Sequence, residues 1–391
     1  MVNTVDLQAR FRQTFPDSTL RVLVRAPGRV NLIGEHTDYN DGWVLPIATS
    51  QSLHVAGGGT DGADIVVHST AFEEAVAFAA DDPGPPGPPA WANYVRGVAA
   101  LLSDSGIKLK GARLLIHSDV PIGGGVSSSA ALEVGAAMAL LALAGQTMDP
   151  VRLALLARQA EHDYAGSPCG IMDQFICVLG KPEHALLLDC RSQAYEHVPL
   201  PLENARLVVL NTQVKHEIGS SQYPVRQQQC RDGLAVIQQP HPDVAALRDV
   251  TPEMLDAHKD EMDAVTFQRC RHVVTEIART TRAADALRRG DLHTFGKLMF
   301  ASHASLRDDY AVSCPELDHL VEIAWAVPGV YGARMTGGGF GGCAIALIRN
   351  DAREALRSAV ARQYDTRFDK PAIVYTTAAS RGASVRGLRT K

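Results

Sequence analysis

The chain has no Cys-x-x-Cys pair, no long apolar run and no block of charge of one sign, and each absence removes a class of protein. Its seven cysteines (Cys169, Cys177, Cys190, Cys230, Cys270, Cys314, Cys343) are scattered without framework spacing. A chain of 391 residues needs no staples, so reduced thiols and a cytoplasmic setting are expected. Met1 to Asp6 lacks a basic region followed by an apolar stretch, so no signal peptide is expected. The longest apolar run, Ala130 to Ala144, contains Glu133 and is too short to cross a bilayer, so it reads as a buried helix. With a net charge of −5 and basic runs no longer than Arg288–Arg289, no nucleic acid and no membrane is an expected partner. A Walker A Gly-Lys-Ser/Thr is missing, and so is a Gly-x-Ser-x-Gly elbow. A hydrolase reading has nothing to stand on.

What is present is the composition of a globular protein, 46% apolar and 21% charged. The length suggests two packed domains, and Pro199–Pro201 suggests a division into 1–200 and 201–391. Helices are expected over Leu7–Phe15, from Asp149-Pro150 to Ala165 with Gly166 as the stop, after Thr251-Pro252, and from Phe267 to Arg289. Strands are expected over Leu20–Ala26, Ala112–His117, Arg206–Leu210, Cys343–Leu347 and Ala372–Tyr375. Pro83 to Pro89 is too rich in proline for helix or central strand and reads as a surface loop. Strands and helices alternate irregularly, which suggests an α+β fold.

Four segments carry chemistry. Pro121-Ile122-Gly123-Gly124-Gly125-Val126-Ser127-Ser128-Ser129-Ala130-Ala131 follows a strand and opens a long helix. Free N–H groups at that helix start, with the helix dipole, make an anion site, and the Ser129 hydroxyl could reach a phosphate-bound Mg²⁺. An ordinary glycine-rich turn capped by serine competes with this reading. Gly337-Gly338-Gly339-Phe340-Gly341-Gly342 formally contains GxGxxG, but a strand follows it, so a dinucleotide site fails on context. Taken alone, it reads as a tight structural loop.

The third segment, Arg25 to Tyr39, crowds Arg29, Glu35, His36 and Asp38 between glycines. Charged groups of both signs suit a polyol, whose hydroxyls donate and accept; an exposed polar loop is the competing account. In the fourth, Glu161-His162-Asp163-Tyr164 precedes Gly170-Ile171-Met172-Asp173-Gln174-Phe175, where Asp173 sits in an apolar, helical stretch. A carboxylate there is a paired core residue or a catalytic group.

In their order along the chain these segments resemble the motifs of the GHMP kinase superfamily and, within it, of the galactokinase family. Gly28-Arg29-Val30-Asn31-Leu32-Ile33-Gly34-Glu35-His36-Thr37-Asp38-Tyr39 is similar to that family's N-terminal signature. Pro121 to Ala131 resembles the superfamily's ATP motif, and Arg334 to Gly342 its third motif. Cys169 to Gln174 and Ser313-Cys314-Pro315-Glu316-Leu317-Asp318 fit the same pattern; Val126 stands where leucine is usual.

The resemblance implies a two-domain α+β GHMP kinase fold with the active site in the cleft between the domains. It implies transfer of the γ-phosphoryl of MgATP to the C1 hydroxyl of α-D-galactose, giving galactose 1-phosphate and ADP, by a monomer. Asp173 would be the base and Arg29 would stabilise transition-state charge while keeping Asp173 ionised. Glu35, His36, Thr37, Asp38 and Tyr223 would hold the sugar. Gly123, Gly124, Gly125, Val126, Ser127, Ser128 and Ser129 would cradle ATP, with Ser129 and Glu161 as ligands to Mg²⁺. Kinases of the same superfamily acting on N-acetylgalactosamine or L-arabinose, and a non-catalytic regulator binding galactose and ATP, are the alternatives. The regulator should carry a damaged ATP loop, and here the loop is whole.

Overall fold

The computed structural model describes residues 4–214 and 218–388. Helix α1 (Thr4–Thr14) leads into strands β1 (Val22–Asn31), β2 (Trp43–Val44), β3 (Pro46–Gly59), β4 (Asp64–Ser69) and β5 (Glu74–Ala79). Then come α2 (Ala92–Asp104), β6 (Ala112–Ser118), α3 (Ser128–Leu143), α4 (Pro150–Ala165), α5 (Met172–Leu179), β7 (His184–Asp189) and β8 (Tyr195–Pro199). After Pro199–Pro201 the chain forms β9 (Ala205–Asn211), α6 (Ile218–Gln238), α7 (Pro252–Ala257), α8 (Ala264–Arg288), α9 (Leu292–Asp308) and α10 (Pro315–Ala326). It closes with β10 (Val330–Thr336), β11 (Cys343–Arg349), α11 (Arg353–Gln363), β12 (Ile373–Thr377) and β13 (Ser384–Gly387).

Local chemistry sets several of these boundaries. The Asp149 carboxylate accepts from the Val151 and Arg152 N–H groups, Pro150 takes the first turn of α4, and Gly166 ends it in the left-handed conformation. Thr251 caps α7 through the Met254 N–H. Helix α8 starts three residues before the expected Phe267, because Asp263 caps the Val265 and Thr266 N–H groups. Strand β1 is the larger correction. It does not stop at Ala26 but runs on to Asn31, with a register shift against β3 between Pro27 and Arg29. That bulge bends the strand and re-aims its side chains, so Arg29 lies on buried β-structure and not on an exposed polar loop.

The strands form a six-stranded sheet (β13-β1-β3-β6-β4-β5), a four-stranded sheet (β10-β11-β9-β12) and a three-stranded sheet (β2-β7-β8). All pairs are antiparallel except β4 with β6. One core (Val24, Val55, Leu114, Val134, Leu140, Leu153) lies between the six-stranded sheet and α2, α3 and α4. A second (Leu210, Val273, Tyr310, Leu320, Leu356) fills the C-terminal half. A third draws Val30, Ile47 and Val126 together with Leu207, Phe295 and Ile345, so it joins both halves just behind Arg29. Removing this apolar surface from water fixes the two halves against each other. Among the described residues no helix is long and apolar enough to cross a membrane.

Candidate active site

The loop from β6 to α3 carries positive φ at Gly123, Gly125 and Ser127, alternate residues, a pattern that turns backbone N–H groups towards one side. Ser127 occupies the cap position of α3, yet its hydroxyl makes no cap bond. It donates to Asp173 Oδ2 instead. The first N–H groups of α3 are therefore left without a side-chain acceptor, at the end of the helix where the dipole favours an anion. A cavity of about 450 Å³ opens here, lined by Gly123, Gly125, Ser127, Ser128 and Ser129 together with Leu53, Phe72, Trp91, Ile122 and Leu132. Gly124 and Val126, expected in the cradle, do not line it. Val126 turns its side chain into the core and gives its carbonyl to the Arg29 N–H.

A second cavity, of about 470 Å³, adjoins the first. Arg29, Tyr94 and Asp173 line both. At this junction Arg29 Nε donates to Asp173 Oδ1 and Nη2 to Oδ2, each at 2.7 Å, a bidentate pair. Arg29 Nη1 is held by the Gly125 carbonyl, which ties the pair to the glycine loop. Asp173 stands in the first turn of α5, where a negative charge is favoured. Each carboxylate oxygen has two acceptor sites, so Asp173 keeps capacity for a further hydroxyl.

The signature residues divide by what their side chains do. His36 and Asp38 line the second cavity, with Tyr223 and the backbone of Gly337 and Gly338. Burial first, then the neighbouring charge of Asp173, pushes Asp38 up to about 6. Burial, His272 and Arg226 push His36 down to about 3, so it is neutral, against a smaller upward pull from the Gly338 backbone. Thr37 does not face the cavity; its single O–H is shared between the Gly34 and Trp43 carbonyls, at 2.8 and 2.7 Å, and holds the turn closed. Glu35 borders the cavity but is 1% exposed, and its Oε1 accepts from Gly337 N at 3.1 Å and from the Thr336 hydroxyl at 3.3 Å. It staples the signature to the third motif. Gly337 itself, at φ +83°, lies where a Cβ would meet the Gly125 carbonyl at 2.6 Å, so both glycine-rich loops pack backbone to backbone. The third motif is thus a wall of the cavity as well as a tight loop.

Glu161, near the end of α4, lines the second cavity, while Ser129 lines the first. The Glu161 carboxyl is pushed up by burial and by the charge of Asp173, against smaller downward pulls from Cys169, Ser129 and Gln174. Gln174 Nε2 holds Glu161 Oε2 at 2.7 Å and Glu133 Oε2 at 3.0 Å. Among the described residues no group of three or more His, Cys, Asp or Glu could enclose a metal ion. One hydroxyl and one carboxylate in negatively charged surroundings fit a hard ion such as Mg²⁺, which takes its other ligands from phosphate and water.

Sequence reasoning missed Phe72, Trp91 and Tyr94. The Phe72 and Trp91 rings lie 5.8 Å apart and nearly parallel, at 14°, along the first cavity. A tryptophan directly after a proline-rich turn was the slight local signal. Phe72 had none, since β4, β5 and the turn between them were not expected.

Comparison with known proteins shows the family. Family models match residues 9–58 (Galactokinase galactose-binding signature), 93–181 (GHMP kinases N terminal domain) and 283–366 (GHMP kinases C terminal). The solved structure of Lactococcus lactis galactokinase complexed with galactose superposes with a TM-score of 0.94 at 36% identity, covering 97% of this chain and 99% of that one. Mevalonate kinase of Methanococcus jannaschii shares the fold alone, with a TM-score of 0.67 at 18% identity over 92% of this chain and 98% of that one. The matched family models make the chain a GHMP kinase. Galactokinases of Roseiflexus sp. (strain RS-1) and Homo sapiens are each 44% identical over 382 residues, covering 98% and 96% of this chain and 97% and 94% of theirs. The chain belongs to the galactokinase family and is an ATP-dependent sugar kinase.

Proposed function

We propose that the second cavity takes α-D-galactose, that the first takes ATP, and that the γ-phosphoryl group passes to the sugar's C1 hydroxyl where the cavities meet. The observation that carries this is the bidentate Arg29–Asp173 pair, the group that both cavities share. Asp173 accepts the C1 hydroxyl proton as the oxygen attacks phosphorus. Arg29, anchored by Gly125, meets the negative charge on the transferring group. The uncapped start of α3 and the positive-φ loop hold the phosphates. Positioning and charge neutralisation are most of what phosphoryl transfer requires of a protein. Ser129 and Glu161 would hold Mg²⁺, which would supply positive charge against the phosphates when bound. We extend this to the division of the chain into 1–200 and 201–391, supported by the start of the four-stranded sheet at β9, with β13 returning across it.

ADP release measured over galactose, N-acetylgalactosamine, arabinose and glucose tests the reading. Galactose should give the highest kcat/KM, and comparable values for glucose would overturn it. Glucose differs only at C4, where galactose carries an axial hydroxyl. Asp38 and Tyr223, both half-buried on the cavity wall, are the groups we assign to that hydroxyl. Each polar group left unpaired costs about 1–3 kcal/mol, so two would suppress glucose by roughly two to four orders of magnitude. Asp38→Ala should then raise the galactose KM and narrow the galactose-to-glucose ratio together. An equal loss on both sugars would remove Asp38 from C4.

The stacked Phe72 and Trp91 offer a flat apolar surface for the adenine ring. Base–aromatic stacking is worth about 1–3 kcal/mol by alanine substitution. Trp91→Ala should therefore raise the ATP KM by about 5- to 100-fold and leave the galactose KM alone. A change in the galactose KM with no change for ATP would assign Trp91 elsewhere.

A further inference from the structure

Behind the second cavity runs a buried chain of hydrogen bonds that the phosphoryl transfer does not use. His36 Nδ1 lies 2.8 Å from the Tyr39 hydroxyl, which lies 2.7 Å from the Tyr310 hydroxyl, which lies 3.3 Å from Cys230 Sγ. The ring of His36 cannot swing away from this chain. Its backbone is left-handed at φ 64°, its carbonyl accepts from Asn40 Nδ2 at 3.0 Å, and the Tyr310 ring packs 4.7 Å from it. The other nitrogen, Nε2, is buried and makes no hydrogen bond of good geometry; His36 lines the cavity, and the Gly338 backbone is the acceptor that pulls on the ring from within the chain.

Because His36 is neutral it carries one N–H, and the bond at Nδ1 decides which nitrogen has it. We propose that Tyr39 and Tyr310 are positioning residues that fix His36 as the Nε2–H tautomer, so that it donates a hydrogen bond to a hydroxyl oxygen of the sugar. This rests on the reading that the cavity binds a sugar. The chain could be proton-ordered in either direction, and the two orders differ most at the imidazole end. In one, the Tyr39 O–H donates to an imidazole lone pair, a strong acceptor; in the other, the imidazole N–H donates to a phenol oxygen, a weaker one. At the far end both S–H···O and O–H···S are weak, so that end decides little. The first order wins and leaves the proton on Nε2. Arg29, the charged donor on the cavity wall, is already committed to Asp173 and the Gly125 carbonyl, so a further donor has a use in the cavity. Asp38 and Asp173 line it as acceptors, so a sugar hydroxyl that gives its proton to a carboxylate still has an oxygen to satisfy.

The test uses the full chain labelled with ¹⁵N-histidine, with the His36 signal identified by its loss in His36→Gln. The unmodified protein should show the Nε2–H tautomer. Tyr39→Phe should shift His36 away from the Nε2–H tautomer and raise the galactose KM by about 2-fold where the tautomers mix evenly and by up to about 10-fold where Nδ1–H takes over, while kcat and the ATP KM hold. Tyr310→Phe keeps the direct Tyr39 bond and should show a smaller change of the same kind. An Nδ1–H tautomer in the unmodified protein overturns the proposal. So does a Tyr39→Phe variant with an unmoved tautomer or an unmoved galactose KM. An unchanged galactose KM in His36→Gln removes the sugar contact and overturns the proposal, whereas a galactose KM unmoved in Asp38→Ala as well would overturn the reading beneath it.

Discussion

Asp173→Asn should leave the chain folded and lower kcat by about 10²- to 10⁴-fold, the usual contribution of a positioned general base. Asparagine keeps the shape of the side chain and its place in the first turn of α5, but it cannot accept the proton of the C1 hydroxyl. It also presents an amide N–H₂ where one Arg29 N–H now finds an oxygen, so the guanidinium loses half of its bidentate hold. KM for both substrates should move far less than kcat, because neither cavity is lined mainly by this residue. Steady-state kinetics with a thermal melt of the same preparation decide it. A folded Asn variant with near-normal turnover would remove Asp173 from the base role.

The second large effect is on stability. Arg334 is fully buried and pairs with Glu35, while its Nη2 lies 3.6 Å from Glu276 Oε1. Burial raises Glu276, but the Arg279 and Arg334 charges outweigh it and hold the carboxyl down to about 2. Glu35 is pushed up to about 7, with burial the largest cause and the pull of Arg334 against it. Glu276 in turn holds the Gly34 N–H at 3.0 Å, so one guanidinium organises the turn that carries the sugar signature. Arg334→Met fills similar space and removes the charge. Breaking a buried pair from one side leaves its partner uncompensated and costs about 3–5 kcal/mol. Urea unfolding should show that loss, and a variant within about 1 kcal/mol of the parent would mean the network carries little of the stability.

What the sequence revealed follows how far apart the interacting residues lie. The ends of α4 were legible because Asp149, Pro150 and Gly166 act on the backbone within a few residues of themselves. The glycine loop and the Asp173 helix were legible for the same reason, as was the strand character of residues 343–347. The end of β1 was not. Pro27-Gly28 has the look of a break, and only the pairing with β3 carries the strand through its bulge. Thr37 was assigned to the sugar because it lies in the signature, yet its hydroxyl serves the local turn. Glu35 does line the second cavity but also contacts Gly337, Thr336 and Arg334, which no local pattern announces. A partner about 300 residues away leaves no trace in a local pattern. Phe72 and Trp91 belong to the same case, since neither becomes half of a stacked pair until β4, β5 and α2 are in place.

Strand β13 pairs with β1 from Val22↔Gly387 to Arg25↔Ser384, on the side of β1 that β3 does not occupy. A nascent chain leaving the ribosome therefore has the signature, the glycine loop and α5 all outside while one edge of β1 still shows unpaired N–H and C=O groups. Open edges of this kind recruit other strands. Until residues 384–387 have been translated, that edge of the sheet that carries Arg29 stays open to pairing with another strand.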